Sequence, residues 1–253
     1  MTSPSPKNLL LRALSREDYS LLEPSLQAVT LQTHEPLYEH DRPIEQVYFL
    51  EDGVASIVSK QENGRLIEVG IHGCDGMSGI PVVLGAEQSP HPSMIQVGDA
   101  PAQRIASERL LDACSKSVEL NRTLLRYAYA FSIQASLTAA ANAEYALTER
   151  CARWLLMCHD RLSTDRIELT HEFLSMMLAV RRSGVTVTLQ TLEETGAIKT
   201  SRGIVMVVDR QKLEGIAGEA YGQPEAEYRR LIGPFGKSAK WPRVAGLETP
   251  SGD

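Results

Sequence analysis

The chain has little of what usually announces chemistry. Its 253 residues include four cysteines, Cys74, Cys114, Cys151 and Cys158, with no CxxC pair and none in the first seventy positions. Metal and iron–sulfur centres need clustered thiolates, so no metal is expected, and buried reduced thiols are the simpler reading. No stretch approaches the ~20 apolar residues of a membrane-spanning helix. The start, MTSPSPKNLLLRAL, lacks the long apolar core and cleavage pattern of a secretory signal, so no membrane partner is expected and the cytoplasm is the expected location. Positive charge is not in excess either: 26 basic against 32 acidic side chains leave a net charge of −6. A protein that coats nucleic acid non-specifically should be basic, and this one is not. Catalytic constellations are missing as well. Gly73, Gly76 and Gly79 have the wrong spacing for a dinucleotide fingerprint, and His171-Glu172 meets Ser175 where a zinc protease needs its second histidine. An enzyme is not expected.

What is present is organisation. The length suits two domains. Residues 1–144 hold 11 basic and 18 acidic groups, residues 145–220 hold 10 of each, and Phe173 to Leu192 has two arginines and no acid, so positive charge is local. Residues 1–8 are Ser/Pro-rich and expected to be disordered. Leu9 to Ala28 has helical leucine spacing, with Ser15, Glu17 and Asp18 as a helix start. From Leu31 to Ile105 the runs VYFLEDG, VASIVSK, RLIEVGI, SMIQVGD and AQRI, separated by Gly, Pro and Asx residues, predict an antiparallel sandwich or small barrel, with a hairpin at Asn63-Gly64.

Leu110 to Tyr145 lacks glycine and proline and predicts one helix, or a short one followed by a long one. A 3–4 repeat through Leu124, Ala128, Phe131, Ala135, Thr138 and Asn142 has coiled-coil period and predicts a seam to a second copy of the chain. Packing of the same helix on its own barrel is the alternative, and the two can hold on opposite faces. Leu147 to Cys158 reads as another helix, Arg161 to Glu168 as a polar connection, and most of the tail from Gly222 onward as flexible.

The stretch LTHEFLSMMLAVRRSGVTVTLQTLEE reads as two short helices and a tight turn, followed by a small hairpin. Thr170 suits a helix N-cap, and Phe173, Leu174, Met177 and Leu178 give the first helix its buried face. Val185, Leu189 and Leu192 do the same for the second. Arg181, Arg182, Ser183, Thr186 and Gln190 are left to face out. Arginine pairs with guanine O6 and N7, hydroxyls meet phosphate or a thymine methyl, and a helix N-terminus favours anions. Thr170 and His171 at the start of the first helix, and Lys199 and Arg202 around the hairpin turn, complete the expected DNA-facing set.

In this order, strands, long helix and terminal helix-turn-helix, the chain resembles the Crp/Fnr family of bacterial regulators over roughly residues 20–220. The resemblance is carried by LTHEFLSMMLAVRRSGVTVTLQTLEETGAI, by VYFLEDGVASI and by the glycines of HGCDGMSGIPVVLG. It implies an α+β chain: a flexible start (1–19), a cyclic-nucleotide-binding-like β-roll (20–106), a dimerisation helix (107–145), a winged helix-turn-helix (146–220) and a tail (221–253). It also implies a homodimer on double-stranded DNA, with RNA polymerase as a candidate partner. Two departures matter. Gly76, Met77, Ser78, Gly79 and Ser93 mark the candidate effector pocket, but they bring neither the Glu for a ribose nor the Arg for a cyclic phosphate, so cyclic AMP and other cofactors are not expected. The family's Arg-Glu-x-x-x-Arg reader keeps only its first arginine in Arg182-Ser183-Gly184-Val185-Thr186-Val187, so base preference should differ. A small-molecule or redox sensor acting through protein contacts is the competing function.

Overall fold

The computed structural model describes residues 6–62, 64 and 66–238. Two short helices open it, α1 (Leu9–Arg12) and α2 (Arg16–Leu22), the second capped by the Ser15 hydroxyl, which accepts from the Asp18 amide. The expected helical stretch to Ala28 ends early: Pro24 falls in a single 3₁₀ turn and the chain is extended from Gln27. Asn8, inside the segment expected to be disordered, is fully buried. Its amide donates to the carbonyls of Leu50 (2.8 Å) and Gly76 (2.7 Å). Residues 1–5 and 239–253 of the expected flexible ends lie outside the described residues, as does Asn63 of the expected hairpin turn.

The roll follows as β1 (Gln27–Leu31), β2 (Pro36–Tyr38), β3 (Gln46–Leu50), β4 (Val54–Lys60), β5 (Leu66–His72), α3 (Ile80–Val83), β6 (Ser93–Val97) and β7 (Ala100–Ala106). One sheet has the order β1-β7-β3, the other β2-β6-β4-β5. Every pair is antiparallel, and β4 and β5 form the expected hairpin partners. Val47, Phe49 and Ile105 fill the space between the sheets. The first five residues of β4 are all buried, without alternation. A strand loses its polar face when something covers it, and here the C-terminal half of the chain does so: Val54, Val58 and Ile71 share a core with Trp154, Leu155, Phe173 and Met177.

Beyond the roll, α4 (Ser107–Lys116) and α5 (Val118–Glu144) realise the short-then-long alternative, divided at Ser117, whose hydroxyl caps α5 by accepting from Leu120. Then come α6 (Leu147–His159), β8 (Arg166–Glu168), α7 (His171–Met177), α8 (Arg182–Glu194), β9 (Ile198–Ser201), β10 (Ile204–Val207), α9 (Arg210–Ala217) and α10 (Gln223–Leu231). The supposed polar connection contains β8, which makes the wing a three-stranded β8-β10-β9 sheet. The supposed flexible tail contains α10. Pro224 opens that helix, and the Glu225 carboxylate accepts from the Gly222 amide at 3.1 Å. Tyr228 and Phe235 enter the roll's core with ring centroids 4.9 Å apart.

Buried polar contacts join the two halves. Arg161, after α6, grips Asp75 of the roll with Nε at 3.0 Å and Nη2 at 2.7 Å, and the two side chains are 1% and 4% exposed. The Phe235 ring lies under the same guanidinium, 5.1 Å from its centre. Glu68 of β5 accepts from the Trp154 indole (2.8 Å) and the Ser56 hydroxyl (2.7 Å).

Candidate nucleic-acid interface

Thr170 caps α7 as expected, its hydroxyl accepting from the Phe173 amide at 3.1 Å. Phe173, Leu174, Met177 and Leu178 are all buried. The turn to α8 runs through Ala179, whose φ of 55° lets the chain reverse, and closes with a hydrogen bond from the Val180 amide to the Ser175 carbonyl at 2.9 Å. The Arg150 side chain of α6 donates to the Leu178 carbonyl and holds the turn from behind. Arg181 is the N-cap of α8 and Arg182 its first residue.

The buried stripe of α8 is Val185, Thr188, Leu189 and Leu192, all 5% exposed or less. Thr188 was not legible as core, because its hydroxyl disguises a stripe position. Arg181, Arg182, Ser183, Val187, Gln190 and Thr191 are exposed. Thr186 is half-buried and engaged: its hydroxyl donates to the Arg182 carbonyl (3.2 Å) and meets His171 Nδ1 (3.1 Å). His171 and Thr186 therefore join α7 to α8. Gly184, whose role the sequence left open between helix cost and close DNA approach, faces α6; a Cβ there would sit 3.4 Å from Leu147 Cδ2. That is an ordinary van der Waals contact, so packing at this point does not require glycine.

Lys199 and Arg202 are exposed on the wing, and Gly203 supplies the turn with φ of 73°. Glu193 of α8 ties the wing down, accepting from the Thr200 hydroxyl (2.6 Å) and amide (2.8 Å). Those hydrogen bonds lower its pKa, so it stays an anion at neutral pH.

Two expectations need correction. Gly76, Met77, Ser78, Gly79 and Ser93 do not frame an open pocket. The Tyr127 ring of α5 lies where a Cβ on Gly76 would be, at 2.0 Å. Met77 is fully buried in the core, Ser78 accepts from the Tyr48 amide at 2.9 Å, Gly79 packs on Val47, and Ser93 is fully buried in β6. The enclosed space nearby, lined by Asp75, Tyr127, Gln134, Arg161, Glu225 and Tyr228, measures about 10 Å³. That is room for about one water molecule and not for a nucleotide.

The positions expected to form the helix seam mostly face inward. Leu124 and Ala128 are buried in the roll's own core, and the Phe131 ring sits against Gly70 of β5. Ala135 and Thr138 are half-buried, with the Thr138 hydroxyl accepting from Arg153 at 3.1 Å, and of the six only Asn142 is exposed. The open face lies one position on. Val118, Arg122, Leu125, Tyr129, Ser132, Ser136, Ala139 and Ala143 keep the same alternation of three and four residues, and all are exposed. Both faces of α5 carry the period because both are sparing of charge, so spacing alone did not separate them.

Residues 149–216 match a protein family described as the Crp-like helix-turn-helix domain. No curated protein matches the chain. Among solved structures, the chain is similar to a CRP-family transcriptional regulator from Thermus thermophilus. The TM-score is 0.64 and the identity 20%, over 77% of this chain and 98% of that one. It is equally similar to FixK2 from Bradyrhizobium japonicum, with TM-score 0.64, identity 18%, and 78% and 99% of the two chains covered. A Crp-like helix-turn-helix domain at 149–216 thus sits within a fold that the chain shares along most of its length with regulators of the CRP family.

Proposed function

We propose that this chain is a sequence-specific DNA-binding regulator that works as a two-fold dimer, laying one α8 in each of two successive major grooves. One observation carries the reading. The roll covers the α7 side of the helix-turn-helix, through β4 and β5, and leaves the outer face of α8 open with Arg181 and Arg182 at its start. Neither arginine has an acidic partner within 4 Å among the described residues. A helix N-terminus with free amides and two unneutralised guanidinium groups suits a phosphate backbone and guanine edges. The exposed seam of α5, from Val118 to Ala143, is the surface for the second copy: small residues at its centre allow close helix approach, and Leu125 and Tyr129 supply apolar area.

The DNA-facing set is accordingly Arg181, Arg182, Ser183 and Gln190 on α8, with Lys199 and Arg202 reaching the backbone from the wing. Thr170 caps α7, and His171 and Thr186 tie α7 to α8 beside that set. The redox alternative is not favoured. Burial pushes the Cys151 thiol up to about 12 and that of half-buried Cys114 to about 11, and it raises Cys74 and Cys158 further. Thiols held protonated in apolar surroundings react slowly with oxidants. A signal acting on the roll can reach α8 through the Arg161–Asp75 and Trp154–Glu68 contacts, provided that it binds two arrangements of the junction unequally. The test is enrichment of random duplex DNA by the purified protein. A near-palindromic sequence with half-sites about one helical turn apart is expected, and an unenriched pool contradicts the proposal.

A further inference from the structure

We infer that Val187 is a specificity-determining residue of α8 and that it reads the C5 methyl of a thymine; the inference rests on the DNA-binding reading above. Val187 is 62% exposed, more than any other large apolar side chain of the helix-turn-helix unit. It lies in the middle of α8, one turn after Ser183 and three residues before Gln190, on the side opposite the Val185–Leu189–Leu192 stripe. Nothing internal calls for it. A β-branched side chain on an exposed helix face gives up rotamer freedom and presents carbon to water, where a straight-chain polar residue would favour the helix more.

The surroundings say what can cover it. Ser183 and Gln190 lie on the same outward line, and Arg182 stands on the flank beside Thr186. The Thr191 hydroxyl, next to Val187 on the helix surface, donates back to the Val187 carbonyl at 3.0 Å and is already satisfied. No carboxylate occurs from Arg181 to Leu192, so this stretch offers cytosine N4 no anionic acceptor. The major groove presents donors and acceptors at every base pair but only one apolar group, the methyl of thymine. A valine with hydrogen-bonding residues on both sides of it fits a thymine flanked by pairs that Arg182 and Gln190 contact.

The experiment uses the duplex enriched from the random library. Each thymine of a half-site is replaced in turn by deoxyuridine, which removes only the methyl, and dissociation constants are measured for the full-length wild type, Val187→Ala and Val187→Thr. Circular dichroism and melting confirm that the variants fold. For the wild type, one thymine position is expected to lose about fourfold in affinity on removal of its methyl, the factor for one buried carbon. Val187→Ala should bind the thymine and deoxyuridine duplexes alike at that position, with Val187→Thr in between. A wild-type ratio of one at every thymine, or an unchanged ratio in Val187→Ala, overturns the inference while leaving DNA binding intact. Absence of any enriched duplex removes the DNA reading itself, and that shows before thymine and deoxyuridine are compared.

Discussion

The arginines between Arg150 and Arg210 differ mainly in what surrounds them. Arg161 is sealed against Asp75, Arg210 bridges Asp160 and Glu214, Arg153 reaches Thr138, and Arg150 holds the turn before α8. Arg181 and Arg182 alone open α8 on its solvent side. The sequence showed those two because they follow a helix signal and precede an apolar stripe. It could not show that Arg161 would be buried, since its partner lies 86 residues away in the roll. Glu68 was invisible for the same reason. Burial raises its pKa from 4.5 to about 7, against the lowering effect of Ser56, Trp154, Arg153 and Arg161. Between those two values the unfolded chain has released a proton that the folded chain still holds, so stability falls as pH rises from about 4.5 to about 7 and levels off above. The full effect is at most roughly 3 kcal/mol. Thermal melts should show the wild type losing stability relative to Glu68→Gln from pH 5 to 8, and parallel profiles would contradict this origin.

At the scale of elements, legibility followed exposure. β3 to β7 were readable from their turns and apolar runs, and α4 to α8 from helical spacing and caps. β1 was not, because it is largely exposed and lacks an inward alternation, and β2 and β8 are three residues each. α10 was hidden by the glycines and prolines on both sides of it, although Pro224 and Glu225 are themselves ordinary helix-start residues. For α5 the expected seam positions face the chain's own core, and an exposed face of the same period lies one residue on. The distinction is testable. Leu125→Glu and Tyr129→Glu place charge on the exposed seam and should yield a folded monomer, measured by sedimentation equilibrium alongside circular dichroism. Ala128→Glu places the same charge in the roll's core, and an unpaired buried carboxylate should unfold the domain or lower its melting temperature sharply. A dimer that survives both seam substitutions would show that α5 does not hold the two copies together.

At the scale of the whole molecule, one shared junction sets the helix-turn-helix against the roll. The guanidinium of Arg161 meets Asp75 from the roll and Phe235 from the C-terminal segment, and the carboxylate of Glu68 meets Trp154 of α6. α10 packs beside α5 with Tyr228 in the same core as Tyr127, so the segment after the wing belongs to the folded body. Among the described residues, this arrangement leaves α8 as the one long helix of the C-terminal half with an open, acid-poor outer face over its first turns. The central claim is that this face meets DNA phosphates and bases. The most direct test is the slope of log Kobs against log salt concentration for the enriched duplex, taken for the wild type and Arg181→Ala. A steep negative slope is expected, shallower by about one in Arg181→Ala for a lost phosphate contact. Binding that does not change with salt, or a slope untouched by that substitution, would contradict it.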